Sequence, residues 1–244
     1  MKQFYLCLCF FFSLNIFYSQ SSANNQAFFS KLDSIQGYKN LAILNGISYR
    51  ENFRTINEKH PYFNGREFQL GSLVYDDEEF SNILLRYDIY QDILIATIKR
   101  SGEEVFIIEL ITDLVDSFSI GKHEFENLRS VEDGGDPGFY EVLYSYDCMK
   151  IYKKERTKPL DKRDRSVVYY EFEKLSTEYF ISDSNSLLEP DLSDLKYRYP
   201  DQKDRLNDFF RSNRSQRRSN YEVFLRDLGN LIEEFDCKTK KNQS

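Results

Sequence analysis

Residues 105–128 read VFIIELITDLVDSFSIGKHEFENL, and the architectural signal is clearest here. Val105 to Ile111 is β-branched and nearly continuously apolar, the composition of a strand. Val115 to Ile120 follows closely, Gly121 marks a turn, and Glu124 to Leu128 comes next. No helical crossover fits between runs this close, so an antiparallel meander is expected rather than a parallel α/β sheet.

The same rhythm extends in both directions. From about Leu70 the period changes to two, with Phe80, Ile83, Leu85 and Tyr87 mostly interleaved with polar groups, and Ile93 to Lys99 follows the turn Asp88-Ile89-Tyr90-Gln91-Asp92. Ser101-Gly102 is a further turn. Downstream lie Gly138 to Tyr144, the turn Ser145-Tyr146-Asp147, and Cys148 to Tyr152. Lys153 to Arg165 reads as a charged hairpin or loop, and Val167 to Leu175 with Glu178 to Ile181 closes the β region. The chain holds 18 Tyr and 21 Phe, which suits half-buried sheet positions; a sugar-stacking face is the functional alternative.

After that the period becomes helical. Asp191 N-caps a short helix that ends near Tyr199, and Pro200-Asp201 opens a second with Leu206, Phe209 and Phe210 on one face. Ser219-Asn220-Tyr221-Glu222 reads as a capping box for a third. That helix carries Tyr221, Phe224, Leu225, Leu228, Ile232 and Phe235 as one apolar stripe. The expected fold is α+β: an antiparallel meander, as a curved sheet or partial barrel, with C-terminal helices packed against it.

The N-terminus addresses location. Lys2 is the only charge before Gln20, Phe4 to Tyr18 is apolar, and small polar residues follow from Ser19. This is the layout of a secretory signal peptide. It is shorter than the roughly 20 apolar residues of a membrane span. Cleavage is expected near Ser19 or Ala23, leaving an exported protein of the periplasm or outer-membrane surface that is not integral to the membrane. The expected organisation is 1–19 signal, 20–69 N-terminal helix (Ala27 to Tyr38) and connecting segment, 70–187 β region, 188–237 helical segment and 238–244 tail.

Cys7 and Cys9 lie in the signal, which leaves Cys148 and Cys237. An exported chain allows these one disulfide, closing a loop of about 90 residues worth roughly 4 kcal/mol in the chain-entropy view. Two unpaired thiols are the alternative.

Few catalytic chemistries find residues to use. The two histidines, His60 and His123, sit in turns, and no Gly-x-Ser-x-Gly elbow is present. No zinc spacing occurs, and Glu132-Asp133-Gly134-Gly135-Asp136-Pro137-Gly138 lacks the spacing of a calcium loop, so no cofactor is expected. With 40 Asp and Glu, some pair always stands at a glycosidase distance, so that abundance points nowhere. The net charge of -7 argues against nucleic acid as a partner. Two basic clusters interrupt this background. Lys153, Lys154, Arg156, Lys158, Lys162, Arg163 and Arg165 are interspersed with acids, as in a solvated loop. Arg211, Arg214, Arg217 and Arg218 precede the last helix and are the candidate anion-binding residues, for lipid or glycan phosphate.

Several segments resemble a family of exported proteins of Bacteroidota with no established activity. They are Asn45-Gly46 through His60-Pro61-Tyr62-Phe63, Gly71-Ser72-Leu73-Val74-Tyr75, Leu85 to Leu94, Gly138 to Tyr144, Glu178-Tyr179-Phe180-Ile181, Leu195 to Tyr199, and Leu206 to Asn213. The resemblance implies an envelope context and no catalytic residue. Asp147-Cys148 departs from it where a glycine turn is expected, so a bridge from Cys148 would be particular to this chain. The functional expectation is a non-enzymatic envelope protein that binds a partner protein or envelope component. A carboxylate-dependent hydrolase acting on glycans is the alternative.

Overall fold

The computed structural model describes residues 42–99, 105–129, 135–147, 149–165, 167–183 and 186–241. The chain divides into Met1–Leu41 and Ala42–Ser244, and the described residues belong to the second unit. The expected signal segment, the expected helix from Ala27 to Tyr38, Cys148 and the side chain of Cys237 lie outside the described residues.

Thirteen strands are described: β1 (Ile47–Ser48), β2 (Gln69–Tyr75), β3 (Glu78–Asp88), β4 (Ile93–Lys99), β5 (Val105–Glu109), β6 (Val115–Ile120), β7 (His123–Leu128), β8 (Gly138–Ser145), β9 (Met149–Lys154), β10 (Thr157–Asp164), β11 (Val167–Lys174), β12 (Glu178–Asp183) and β13 (Ser186–Leu188). Eleven form one antiparallel sheet in the order β1-β5-β4-β3-β2-β6-β7-β8-β9-β12-β13, which does not close on itself. Asp76 and Asp77, at φ 52 and 62, make the two-residue turn between β2 and β3, as a right-twisting hairpin needs. The inward parity of β3 shifts between Phe80 and Ile83. Asn82, at φ 59, is the extra residue there, opposite the register break at Gly71/Ser72.

Three connections depart from a simple meander: β1 pairs with β5 rather than β2, the chain crosses the sheet between β5 and β6, and β10 and β11 leave it between β9 and β12. β2 pairs with both β3 and β6, so the chain crosses β4, β3 and β2 between β5 and β6. Four strand spacings amount to about 19 Å, while the residues from Glu109 to Val115 reach about 20 Å only when fully extended. Thr112–Leu114 is a 3-10 turn, so a flat sheet is impossible. The strands curl until the crossing segment spans their end. There Leu110 N–H donates to Leu94 O at 2.9 Å, and Asp76 N–H donates to Leu114 O at 2.8 Å. Asn127 Nδ2 donates to Thr112 O and Val115 O at 2.7 and 2.9 Å.

Inside the curl, Phe63, Tyr87, Phe118, Phe125 and Phe139 form an aromatic cluster with centroids 4.6 to 6.4 Å apart. Beyond their buried area, such pairs contribute about 0.5–1.5 kcal/mol each. Of the two readings of the charged segment Lys153 to Arg165, hairpin or loop, the structure has a hairpin whose second strand is the run from Val167. Lys153 and Lys154 end β9, and Thr157–Asp164 pairs with Val167–Lys174 as a separate two-stranded sheet. This hairpin is held by the connecting segment. Tyr170 N–H donates to Arg54 O and Phe172 N–H to Lys59 O, while Phe53 sits edge-on to Tyr90, Tyr170 and Phe172.

Four α-helices follow: α1 (Leu192–Arg198), α2 (Lys203–Ser212), α3 (Arg214–Ser219) and α4 (Tyr221–Lys241), with a 3-10 turn Pro200–Gln202 before α2. Asp191 caps α1 by accepting from Ser193 N–H at 2.7 Å. The expected capping box is displaced. Ser219 is the last residue of α3, and Asn220 turns extended at φ -151. Asn220 Oδ1 then accepts from Val223 N–H at 3.2 Å. The last helix also runs to Lys241, into the segment read as a tail. Its stripe of Phe224, Leu225, Leu228, Ile232 and Phe235 is buried against Met149, Ile151 and Ile181 of the sheet, with Leu195, Leu206 and Phe210. Gly229 permits this approach, because a Cβ there would lie 2.5 to 2.6 Å from the Tyr146 ring and hydroxyl.

Candidate functional site

Two charged networks meet along β8 and β9, whose alternation sends Lys153 and Lys154 to opposite faces. On the face toward the curl and α4, Glu141 stands directly across from Lys153. Lys153 Nζ lies 3.2 Å from Glu141 Oε2, 3.2 Å from Glu155 Oε1 and 3.5 Å from Glu222 Oε1 on the first turn of α4. His123 Nδ1, at the start of β7, lies 2.5 Å from Glu141 Oε1, and the His123 ring sits edge-on to Phe63. Glu141 is 5 % exposed. Its Oε2 makes the ion pair with Lys153 but has no partner in hydrogen-bond geometry.

This network borders a cavity lined by Phe63, Tyr87, Phe125, Phe139, Glu141, Lys153 and Glu155, with a volume of about 10 Å³. That is room for about one water molecule. Burial opposes the charge on Lys153, but Glu141 and Glu155 outweigh it and raise its pKa above the ordinary lysine value. A lysine held so firmly protonated is neither base nor nucleophile near neutral pH.

On the other face, Lys154 is 3 % exposed. Its Nζ donates to Asp92 Oδ2 at 2.7 Å and to Phe139 O at 2.8 Å. Tyr87 donates its hydroxyl to Asp92 Oδ1 at 2.6 Å, and Phe139 N–H reaches Asp92 Oδ2 at 3.3 Å. Gly138, at φ 137, is required here, since a Cβ would lie 1.9 Å from Asp92 Oδ2. Burial lowers the Lys154 pKa against the pull of Asp92, and burial with Asp92 raises that of Tyr87. A lysine of depressed pKa suits nucleophilic chemistry, but this one is covered and committed to two acceptors. The network ties the β3–β4 turn to β8 and β9.

The first basic cluster is therefore no single patch. Arg156 bridges Asp136 and Glu178, Lys158 pairs with Glu173, and Lys162 with Glu171. Arg163 and Arg165 are exposed at the hairpin tip. Asp136, the described acid of the Asp-Gly loop, pairs with Arg156. Among the described residues no group of three His, Cys, Asp or Glu is arranged to hold a metal ion. His60 accepts from Tyr62 N–H at 3.2 Å and stacks on the Tyr62 ring, as a turn histidine does.

His123 is more than a turn residue, since it opens β7 and meets Glu141. The signal for this lay in Phe139-Tyr140-Glu141, where a carboxylate occupies an inward position of an alternating strand. Arg211, Arg214, Arg217 and Arg218 lie exposed at the end of α2 and on α3 and form no ion pair with either network among the described residues. No helix of the described residues is long and apolar enough to cross a membrane. Comparison with protein-family descriptions, curated proteins and solved structures finds no match.

Proposed function

We propose that the protein is exported and works in the cell envelope by binding a partner protein or envelope component, with no catalytic site of its own. The observation that carries this reading is the commitment of its chemically capable groups. His123 and Lys153 both contact Glu141, and Lys153 also contacts Glu155, around a water-sized cavity, and Lys154 and Asp92 are paired under cover. The signal-like layout of residues 1–25 supports the location.

Among the described residues, Glu141 and Glu155 are the pair that borders the cavity and so the one the glycan-hydrolase alternative would call on. Each contacts Lys153 Nζ at 3.2 Å, so the ammonium stands between them where a sugar would have to sit. Incubating the purified mature protein with envelope glycans is the test. Unchanged chains agree with a binding role. Release of oligosaccharides that Glu141→Gln abolishes, with melting temperature retained, overturns it in favour of the hydrolase.

A further inference from the structure

We infer that the arginine-bearing ridge of α2 and α3 is the surface by which this protein docks onto a membrane rich in phosphate-bearing anionic lipid. The inference rests on the proposed envelope location and names the component bound there. α2 and α3 are nearly continuous. Asn213 N–H donates to Phe209 O and Arg217 N–H to Asn213 O, both at 2.9 Å. At about 100° per residue, Arg211, Arg214 and Arg218 fall within about 60° of one another, along a ridge of about 10 Å. Leu206 and Phe210, on the inward side, anchor this ridge in the helical core.

The local charge is unlike the rest of the chain. Between Asp208 and Glu222 stand four arginines and no carboxylate, in a protein of net charge -7. Arg214 and Arg218 form no ion pair among the described residues. Arg211 pairs only with Asp208, where both side chains are open to solvent, a contact that exchanges at little cost. Arg217 lies over the Phe210 ring, its guanidinium carbon 5.5 Å from the centroid, and keeps its charge beside the ridge.

Shape selects the occupant. A small free anion needs donors gathered round one point, whereas these arginines are spread along about 10 Å of ridge. A row of forked donors fits an extended array of phosphates. The net negative charge does not prevent this, because charges more than about 8 Å from the surface are screened at physiological salt.

The test is sedimentation of the mature protein with phosphatidylcholine vesicles, with and without phosphatidylglycerol. Each arginine near such a surface strengthens partitioning about fivefold. The triple variant Arg211→Gln/Arg214→Gln/Arg218→Gln should therefore bind about a hundredfold more weakly than wild type. The charge-matched control Lys122→Gln/Arg163→Gln/Arg165→Gln should stay within a few-fold. All six positions are exposed, and unchanged melting of both variants confirms intact folds.

The inference is overturned by equal binding to pure phosphatidylcholine, no binding of wild type to either vesicle, equal losses in the two triple variants, or displacement by millimolar inorganic phosphate. Binding to soluble polyglutamate but not to vesicles also overturns it, in favour of an acidic protein partner. A processed, envelope-located protein that ignores vesicles refutes the docking ridge alone. A protein recovered unprocessed from the cytoplasm refutes the location, whatever the vesicles show.

Discussion

Leu228→Ala removes the centre of the contact between α4 and the sheet. Leu228 is 0 % exposed, within a cluster that joins Phe224, Leu225 and Ile232 to Met149, Ile151 and Ile181. Large-to-small changes at such sites cost about 2–5 kcal/mol, with the larger values where surroundings cannot collapse. Here the wall opposite α4 is a sheet fixed by pairing on both sides of β9, so about 3–4 kcal/mol is expected. The slightly better helix propensity of alanine returns only a few tenths. For a folded unit of this size, each kcal/mol lowers the melting temperature by about 2–4 °C, so the variant should melt roughly 6–16 °C below wild type. Thermal unfolding followed by circular dichroism, with urea unfolding in parallel, is the assay. Tyr197→Ala, at a position 91 % exposed, is the control and should stay within about 0.5 kcal/mol of wild type. If Leu228→Ala matches that control as a purified monomer, the stripe is not core, and the packing of α4 described above is wrong.

Other perturbations follow from close contacts. Gly229→Ala should destabilise by about 1–3 kcal/mol in urea unfolding, although alanine is the better helix former, because its Cβ would enter the Tyr146 ring; a stabilised variant would show that the ring moves freely. Lys154→Met should cost about 3 kcal/mol, the low end for breaking a buried pair, since Asp92 keeps some contact with water. Adding Asp92→Asn should recover part of that loss, and a double variant weaker than the sum of the singles would contradict the pairing. The Ser193 hydroxyl and N–H hold the Asp191 carboxyl below its ordinary pKa of 3.8, so the unfolded chain takes up the proton first. The cap's contribution is then complete above that value and lost as pH falls through the lower, folded one. Asp191→Asn, which caps without titrating, should remove this part of the acid-induced loss in melting scans; identical acid profiles would refute it.

Most of the strands and all three expected C-terminal helices were legible because each is a local pattern. Alternation marks β3, β-branched composition marks β5, and turn residues separate the runs up to β9, whereas the bulge at Asn82 appears only in the pairing of β2 with β3. The long-range features were not legible. The crossing from β5 to β6 exists only because the sheet curls, and curl is a sum of twists that no single segment announces. The hairpin of β10 and β11 leaves the main sheet because the segment around Phe53 to Lys59 captures it, a choice made between distant residues. The cap moved from Ser219 to Asn220 because α3 claims Ser219, which the spacing alone does not reveal. The meeting of His123, Glu141, Lys153 and Glu222 needs three strands and a helix brought together. Only the inward carboxylate at Glu141 hinted at it. The arginine cluster was visible as composition, but its alignment as a ridge required the near-continuity of α2 and α3.

Export from the cytoplasm is tested most directly by the intact mass of the native protein taken from fractionated cells. A chain in the envelope fraction that begins shortly after Ser19 or Ala23 is expected, as the small polar residues following the apolar stretch require. Recovery of a chain that still begins at Met1, soluble in the cytoplasm, would contradict it.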